Sequence, residues 1–417
     1  MKIKLKSHKT VLSALPYALA SISYMFTVHS VGYFLGLAFV LWLLSGQWHF
    51  QVEKYKIWLL PVAFLVVMLI SSVFSENQTT AWQIMQRFIA FLIIPLMFVA
   101  GDLKKDDYKF IIKFFVITNY IFFAINWLYA IYRQLHFSLV KNGPFNWYFF
   151  YRYDFLSVFH NHPTYVSLFA NMSLAFLLFY DVFDKRKSLY LIVLQMLNIL
   201  FTGSRMGLII MFLLLVLKLS ELVFVQKRVT YALKVLSGIF LSLLIIWLIP
   251  ISREKVIYRT LGLHKVYHYY LPKNKKFHPE NEEKYGRLSA WNTAKLLIEH
   301  KPVTGYGVGD ADQHLLRAYK EQHKMFLYRI KHNAHNSYLQ FWLMGGIFLL
   351  VLYVLFVAIP FYYGIISKNY LMLSYAIIVG MSSLTESFVR IQGIVFIIYF
   401  HSFLMSMLYC TKDNGKT

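Results

Sequence analysis

His332-Asn333-Ala334-His335-Asn336-Ser337-Tyr338-Leu339-Gln340 is where a long, basic, histidine-rich segment runs into an apolar stretch over residues 337–362. A membrane-spanning helix needs ~20 mostly apolar residues, so this short sequence marks a boundary between water and membrane. Histidine is the one side chain whose ordinary pKa lets it exchange protons near neutral pH. Two imidazoles at such a boundary suit activation of a hydroxyl where a lipid-borne substrate arrives. His335 is read as the general base, with His332 and Asn336 beside it as substrate-binding residues. The two histidines are three apart, hence on one face if the helix has already begun there. A metal pair would need a third ligand, and no carboxylate or cysteine stands nearby in sequence, so neither a metal nor another cofactor is expected. The plainer reading is that both histidines merely cap the helix.

Outward from this point, apolar runs recur along the whole chain, near 11–28, 30–47, 57–74, 83–100, 110–132, 164–182, 188–203, 206–224, 231–250, 337–362, 370–388 and 391–409. Charged residues make up 15% of the chain, against roughly 25% in soluble domains. The expected fold is an all-α polytopic membrane protein of about twelve transmembrane helices. Very short turns join the first pair and the seventh and eighth. Two connections are long, 133–163 and 251–336. The chain thus divides into helices one to nine (1–250), a large outer loop (251–336), and helices ten to twelve with a short tail (337–417). The basic start, Lys2 to Lys9, imitates a signal peptide, but no A-x-A-like cleavage site follows it, so an uncleaved first helix is expected. The lone cysteine, Cys410, excludes an internal disulfide.

The net charge of +23 lies between the apolar runs, which points to membrane topology and away from nucleic acid. With the N-terminus inside, the inner loops hold Lys54 and Lys56; Lys104, Lys105 and Lys109; Lys185, Arg186 and Lys187; Lys227 and Arg228; Lys368; and Lys412 and Lys416. The outer turns 28–30 and 75–80 are nearly bare. By the positive-inside pattern both termini are cytoplasmic and both long connections face outward. The 251–336 segment holds sixteen Lys and Arg, eight Asp and Glu, and eight of the fifteen histidines. Attraction to anionic headgroups explains this excess, and so does a site for an anionic substrate.

Other residues carry chemical signals. Thr202-Gly203-Ser204-Arg205-Met206-Gly207 sits between two apolar runs, where an arginine is costly and usually functional unless it snorkels to headgroups. The stretch 285–298 has helical spacing, with Leu288, Trp291, Ala294 and Leu297 or Ile298 on one stripe. Arg287 stands at its N-terminal end, where backbone donors attract anions. Gly305-Tyr306-Gly307-Val308-Gly309 lacks the full dinucleotide fingerprint and reads as a tight turn. At two further outward edges, His160 and His162 precede Pro163, while Glu386 and Arg390 are spaced to pair with each other; His160, His162 and Arg390 complete the substrate-binding candidates. Arg87, inside the fourth run, needs a partner or a water-filled cavity. The aromatic cluster from Phe145 to Tyr153 suits sugar stacking or an interfacial belt.

In their order these elements resemble the O-antigen ligase and polymerase superfamily of bacterial membrane glycosyltransferases. A Gly203-Ser204-Arg205 turn precedes a long loop with Arg287-Leu288-x-x-Trp291, then Pro302-x-x-Gly305-x-Gly307-x-Gly309, then His335-Asn336-Ser337-Tyr338-Leu339-Gln340 and Gly346. Where the family often has a small residue three beyond that glycine, Leu349 stands here. The resemblance implies a GT-C-like, twelve-helix, inverting and metal-independent glycosyltransferase of the bacterial inner membrane, with its site at the periplasmic face. The donor is a glycan on undecaprenyl pyrophosphate; the acceptor is the lipid A core for a ligase, or another lipid-linked glycan for a polymerase. Arg205 and Arg287 are implied to clamp the pyrophosphate, and His335 to act as base. A secondary transporter is the reading from another class, but such proteins carry midplane sites between two equivalent halves, and the candidate residues here gather near one surface.

Overall fold

The computed structural model describes residues 13–46, 48–228, 230 and 286–413. Its regular structure is helical, with one isolated bridge between Trp48 and Gly101 among the described residues. A chain this apolar has little choice, because in hydrocarbon every backbone donor and acceptor must be satisfied within the helix. Helices lie at every expected apolar run except 231–250, which falls outside the described residues, as does the first part of the expected outer loop, 251–285.

Among the described residues, six helices are long and apolar enough to cross a membrane: Lys56–Val73, Gln78–Ala100, Lys105–Val140, Arg205–Val225, Ser337–Ile366 and Ile391–Cys410. Ser13–Ile22, Ser30–Leu44, Pro163–Phe179 and Tyr370–Ser383 are apolar but shorter. The protein is a multi-pass membrane protein. Large apolar side chains such as Leu44, Phe74, Leu128 and Phe212 are left exposed, as expected of surfaces that meet lipid.

Two compact units emerge, one of residues 1–120 with 280–417, the other of 121–279. In the first, Phe64 is fully buried and meets the rings of Phe88, Phe91, Phe341 and Phe356 at centroid distances of 5.9, 5.1, 5.3 and 5.7 Å. Those contacts join helices Lys56–Val73, Gln78–Ala100 and Ser337–Ile366. The described part of the 251–336 segment packs in this unit too, as helices Gly286–His300, Ala311–Glu321 and Met325–Arg329. The apolar stripe expected on Gly286–His300 turns slightly: Ala290, Thr293, Ala294 and Ile298 are buried, whereas Leu288 is exposed. Small side chains let this helix lie close to its neighbours, and the larger Leu288 is displaced outward.

One span is broken. Within Ser337–Ile366, Gly345 and Gly346 leave helical geometry, with Gly346 at φ 65° and ψ −160°. Such a break frees carbonyls that lipid cannot satisfy. The 302–307 turn supplies the missing donors: Tyr306 N–H reaches Leu343 O at 2.7 Å and Gly307 N–H reaches Met344 O at 3.1 Å. Ile347 N–H returns a bond to Pro302 O at 3.0 Å, and Ser71 Oγ donates to Met344 O at 2.7 Å. A Cβ on Gly346 would stand 1.8 Å from Val303 O, and one on Gly305 2.6 Å from Leu343 O. The glycines are therefore needed for close approach of backbone to backbone, in the tight turn their sequence suggests. Leu349, the departure noted above, is fully buried and covers Gly345.

In the second unit, helices Pro163–Phe179, Lys185–Thr202 and Arg205–Ser220 pack together with the short Arg152–Phe155 helix and the 147–150 turn. Gln195, Asn198, Asn171 and Ser167 are buried among them. Their bonds are local: Asn171 Nδ2 donates to Ser167 O and Gly207 O, Gln195 Nε2 to Ala170 O, and Trp127 Nε1 to Asn198 Oδ1.

Candidate active site

Asn336 opens the Ser337–Ile366 helix. Its side chain accepts from Leu339 N–H at 3.1 Å, an ordinary N-cap, and its Nδ2 donates to Leu384 O at 3.3 Å. The helix begins after the histidines, so neither caps it, and their spacing does not place them on a helical face. A turn brings them together instead. Asn333 Oδ1 accepts from His335 N–H at 2.9 Å, and His335 takes the left-handed backbone conformation, φ 43°. The two rings then lie 4.1 Å apart. Gln340 steadies the same turn by accepting from Ala334 N–H at 3.2 Å while donating to Asp312 Oδ1 at 2.8 Å.

The loop 384–390 closes on this turn. Asn336 N–H donates to Ser387 Oγ at 3.2 Å, Ser337 Oγ donates to Glu386 O at 2.7 Å, and Phe388 N–H donates to Ser337 Oγ at 3.0 Å. The register so fixed sets Glu386 Oε1 3.6 Å from His335 Nδ1. The Glu386 side chain is 6% exposed and that of His335 25%. Sequence spacing suggested a Glu386–Arg390 pair, but residues 384–390 are not helical, and the contact Glu386 makes is with the histidine. Glu386 is the functional candidate that sequence reasoning passed over; it lies fifty residues past Asn336, and only the folded chain brings them together.

The electrostatics follow from burial and two guanidiniums. Burial lifts Glu386 to about 7, against the pull of Arg287, Arg390 and the Ser387 backbone N–H. Burial lowers His332, and nearby Arg287 lowers it further, while the Asn333 carbonyl opposes both. Arg287 and Arg390 themselves are exposed. Arg87 donates to Val389 O at 3.4 Å and acts on Asp312, whose carboxyl burial raises. So Arg287, His332, His335, Asn336 and Arg390 gather in the first unit, around a carboxylate that was not among the expected site residues.

Arg205, His160 and His162 belong to the second unit. Arg205 is exposed at the first turn of its helix, after Gly203 (φ 63°) ends the preceding one. Ser204 caps the helix by accepting from Gly207 N–H at 3.1 Å, and a Cβ on Gly207 would meet Ser167 Cβ at 2.5 Å. The serine and glycines thus shape and pack the turn that carries Arg205. A second arginine stands beside it: Arg152 lies against Gly203, and its guanidinium covers the Tyr153 ring, which meets His162 edge-on at 5.4 Å. His162 Nδ1 accepts from Thr164 N–H as the cap before Pro163. His160 is exposed. Arg152 was hidden in sequence among aromatic residues, with no motif to mark it.

Residues 190–354 match the family model described as O-antigen ligase. Over this stretch the chain is similar to that family. The matched stretch contains Arg205, Arg287, the 302–310 turn and the His332–Gln340 boundary, whereas Glu386 and Arg390 lie beyond it. No curated protein sequence matches the chain. An O-antigen ligase or polymerase acts in a membrane on lipid-linked glycans, and the multi-pass helical fold is of a kind with that chemistry.

Proposed function

We propose that this protein is an O-antigen ligase: an inverting, metal-independent glycosyltransferase of the bacterial inner membrane. It moves a glycan from undecaprenyl pyrophosphate to a hydroxyl of the lipid A core at the periplasmic face, with both termini in the cytoplasm. The observation that carries this reading is His335, partly exposed before a broken span, with Nδ1 turned to a buried carboxylate on which Arg287 also acts. Nε2 of that ring takes the proton of the acceptor hydroxyl as its oxygen attacks the anomeric carbon. The bond to pyrophosphate breaks on the opposite side, so the anomeric centre inverts. Arg287 holds the departing pyrophosphate, since a guanidinium fork matches phosphate oxygens and stabilises the charge that builds there; the family resemblance assigns the same phosphate-binding role to Arg205. Asn336, His332 and Arg390 are the substrate-binding candidates around His335 in the first unit, and His160 and His162 those of the second.

Purified protein, undecaprenyl-linked polymer and lipid A core provide the test. Transfer to core is expected, and His335→Ala should lower it by about 10²–10⁴-fold, the usual cost of losing a general base. Chain extension without transfer to core would replace the ligase reading with a polymerase. Near-normal transfer by the alanine variant would remove His335 from the chemistry.

A further inference from the structure

We propose that Glu386 is the positioning residue of the transfer site: its carboxylate holds His335 by Nδ1, turns Nε2 to the acceptor hydroxyl and balances the charge the ring takes up. The inference rests on the reading of His335 as base, and it concerns a residue outside the matched family region.

Three observations carry it. The first is register. Four hydrogen bonds, from Asn336 N–H, Asn336 Nδ2 and Ser337 Oγ and to Ser337 Oγ, tie residues 384–388 to the two residues that follow His335. The carboxylate is thereby held opposite the ring by backbone on both sides. The second is its poor fit to a structural role. Glu386 is buried, and Oε2 has no hydrogen-bond partner among the described residues. A buried carboxylate kept for stability would have its lone pairs satisfied, because an incompletely paired charge inside a protein costs more than it returns. The third is the charge around it. From the Gly286–His300 helix Arg287 faces it, from its own loop Arg390, and from the turn before Ser337 His335, with His332 stacked behind. Arg87 reaches the same loop at Val389 O and also faces Asp312, which Gln340 binds. The two guanidiniums keep Glu386 ionisable despite burial.

In the reaction, the acceptor O–H bond breaks and its proton passes to Nε2. The oxygen's electron pair forms the new bond to the anomeric carbon, and the pair of the old carbon–oxygen bond leaves with pyrophosphate. Glu386 neither gains nor loses a proton; the imidazolium formed beside it is neutralised by the carboxylate. The 3.6 Å separation is that of a resting site, where such contacts are often longer than in the working complex.

The test is the pH profile of kcat/KM for the full chain in lipid nanodiscs, with undecaprenyl-linked glycan and lipid A core. Glu386→Gln should cut the rate roughly 10²-fold, within the range that loss of assisted proton transfer costs. Its acid limb should move to lower pH, because a ring without the neighbouring negative charge gives up its proton more readily. Glu386→Asp should keep the acid limb of the parent at an intermediate rate. A Glu386→Gln protein with parental rate and parental acid limb overturns the proposal. So does loss of rate in both variants with both acid limbs unmoved, the result of a purely structural role. Activity that survives His335→Ala fails the underlying reading instead, and that variant is measured alongside.

Discussion

Glu386 puts function and stability in opposition at a single residue. Burial raises its carboxyl to about 7, from an ordinary value of 4.5. The native state therefore binds this proton more tightly than the unfolded chain does. The associated stability is fully present below pH 4.5 and is lost as pH rises through 7. Glu386→Gln, neutral at every pH, should escape that loss. Thermal unfolding in detergent should show the variant gaining on the parent between pH 5 and 8, by about 3 kcal/mol at most, since each pKa unit is worth ~1.36 kcal/mol. A constant difference across that range would mean that the carboxyl titrates normally. The two arginines make a separate prediction. Arg287→Lys and Arg205→Lys should each restore only part of the transfer lost in the corresponding alanine variants, because an ammonium is a point charge without the planar fork. Full activity in either lysine variant would show that charge alone suffices. Of these residues, His335 and the arginines stand out in sequence as candidates, since an imidazole or guanidinium next to an apolar run needs a reason. Glu386 was not: its partner lies on another helix, and the nearer Arg390 offered a plausible but incorrect pairing.

At the scale of elements, the positions of the helices were readable because apolar runs and basic loops alternate along the whole chain. Their lengths were less so. The run 370–388 suggests one span, yet the helix stops at Ser383 and the chain opens into the loop that carries Glu386. Hydropathy alone cannot separate residues buried against protein from residues inside a helix. The break in Ser337–Ile366 was visible only as two adjacent glycines, and its cause lies in the distant 302–307 turn. Gly346→Ala should destabilise the protein by more than ~1–3 kcal/mol, because it combines a positive φ with a collision against backbone that has no room to yield. Gly32→Ala and Gly36→Ala, whose added methyl groups meet nothing within 4 Å, should be neutral or slightly stabilising. Melting temperatures of the three variants in one detergent decide it. Equal behaviour would show that the turn does not seat on the broken span.

For the molecule as a whole, the charge pattern supports the proposed orientation of the chain. On the proposed orientation, with both termini cytoplasmic, a cysteine placed at Thr79, after replacement of Cys410, should react with an impermeant maleimide in intact spheroplasts. One placed at Lys187 should react only after the membrane is opened. The reverse pattern would invert the topology and move the site to the other face. Membrane class, helix order and the family similarity were all accessible from sequence, through composition and a chain of short motifs in fixed order. The arrangement of the outer segment was not, because 286–336 owes its structure to contacts with helices that flank it far along the chain, among them Asp310, which accepts from the N–H groups of Glu76 and Asn77 at 2.6 and 2.9 Å.

The seating of the 302–307 turn in the broken span also bears on how the protein is made. Ribosomes deliver residues in order, so the turn emerges before Gly345 and Gly346 do. The strip of backbone that will cover the gap has already been made when the gapped helix enters the bilayer. Were the order reversed, a span with unsatisfied carbonyls would face lipid while it waited, at a cost of several kcal/mol for each exposed group. Reading the chain from N- to C-terminus, biosynthesis meets the stopper first and the opening second, and a circular permutant that swapped them would present the bilayer with a defective helix.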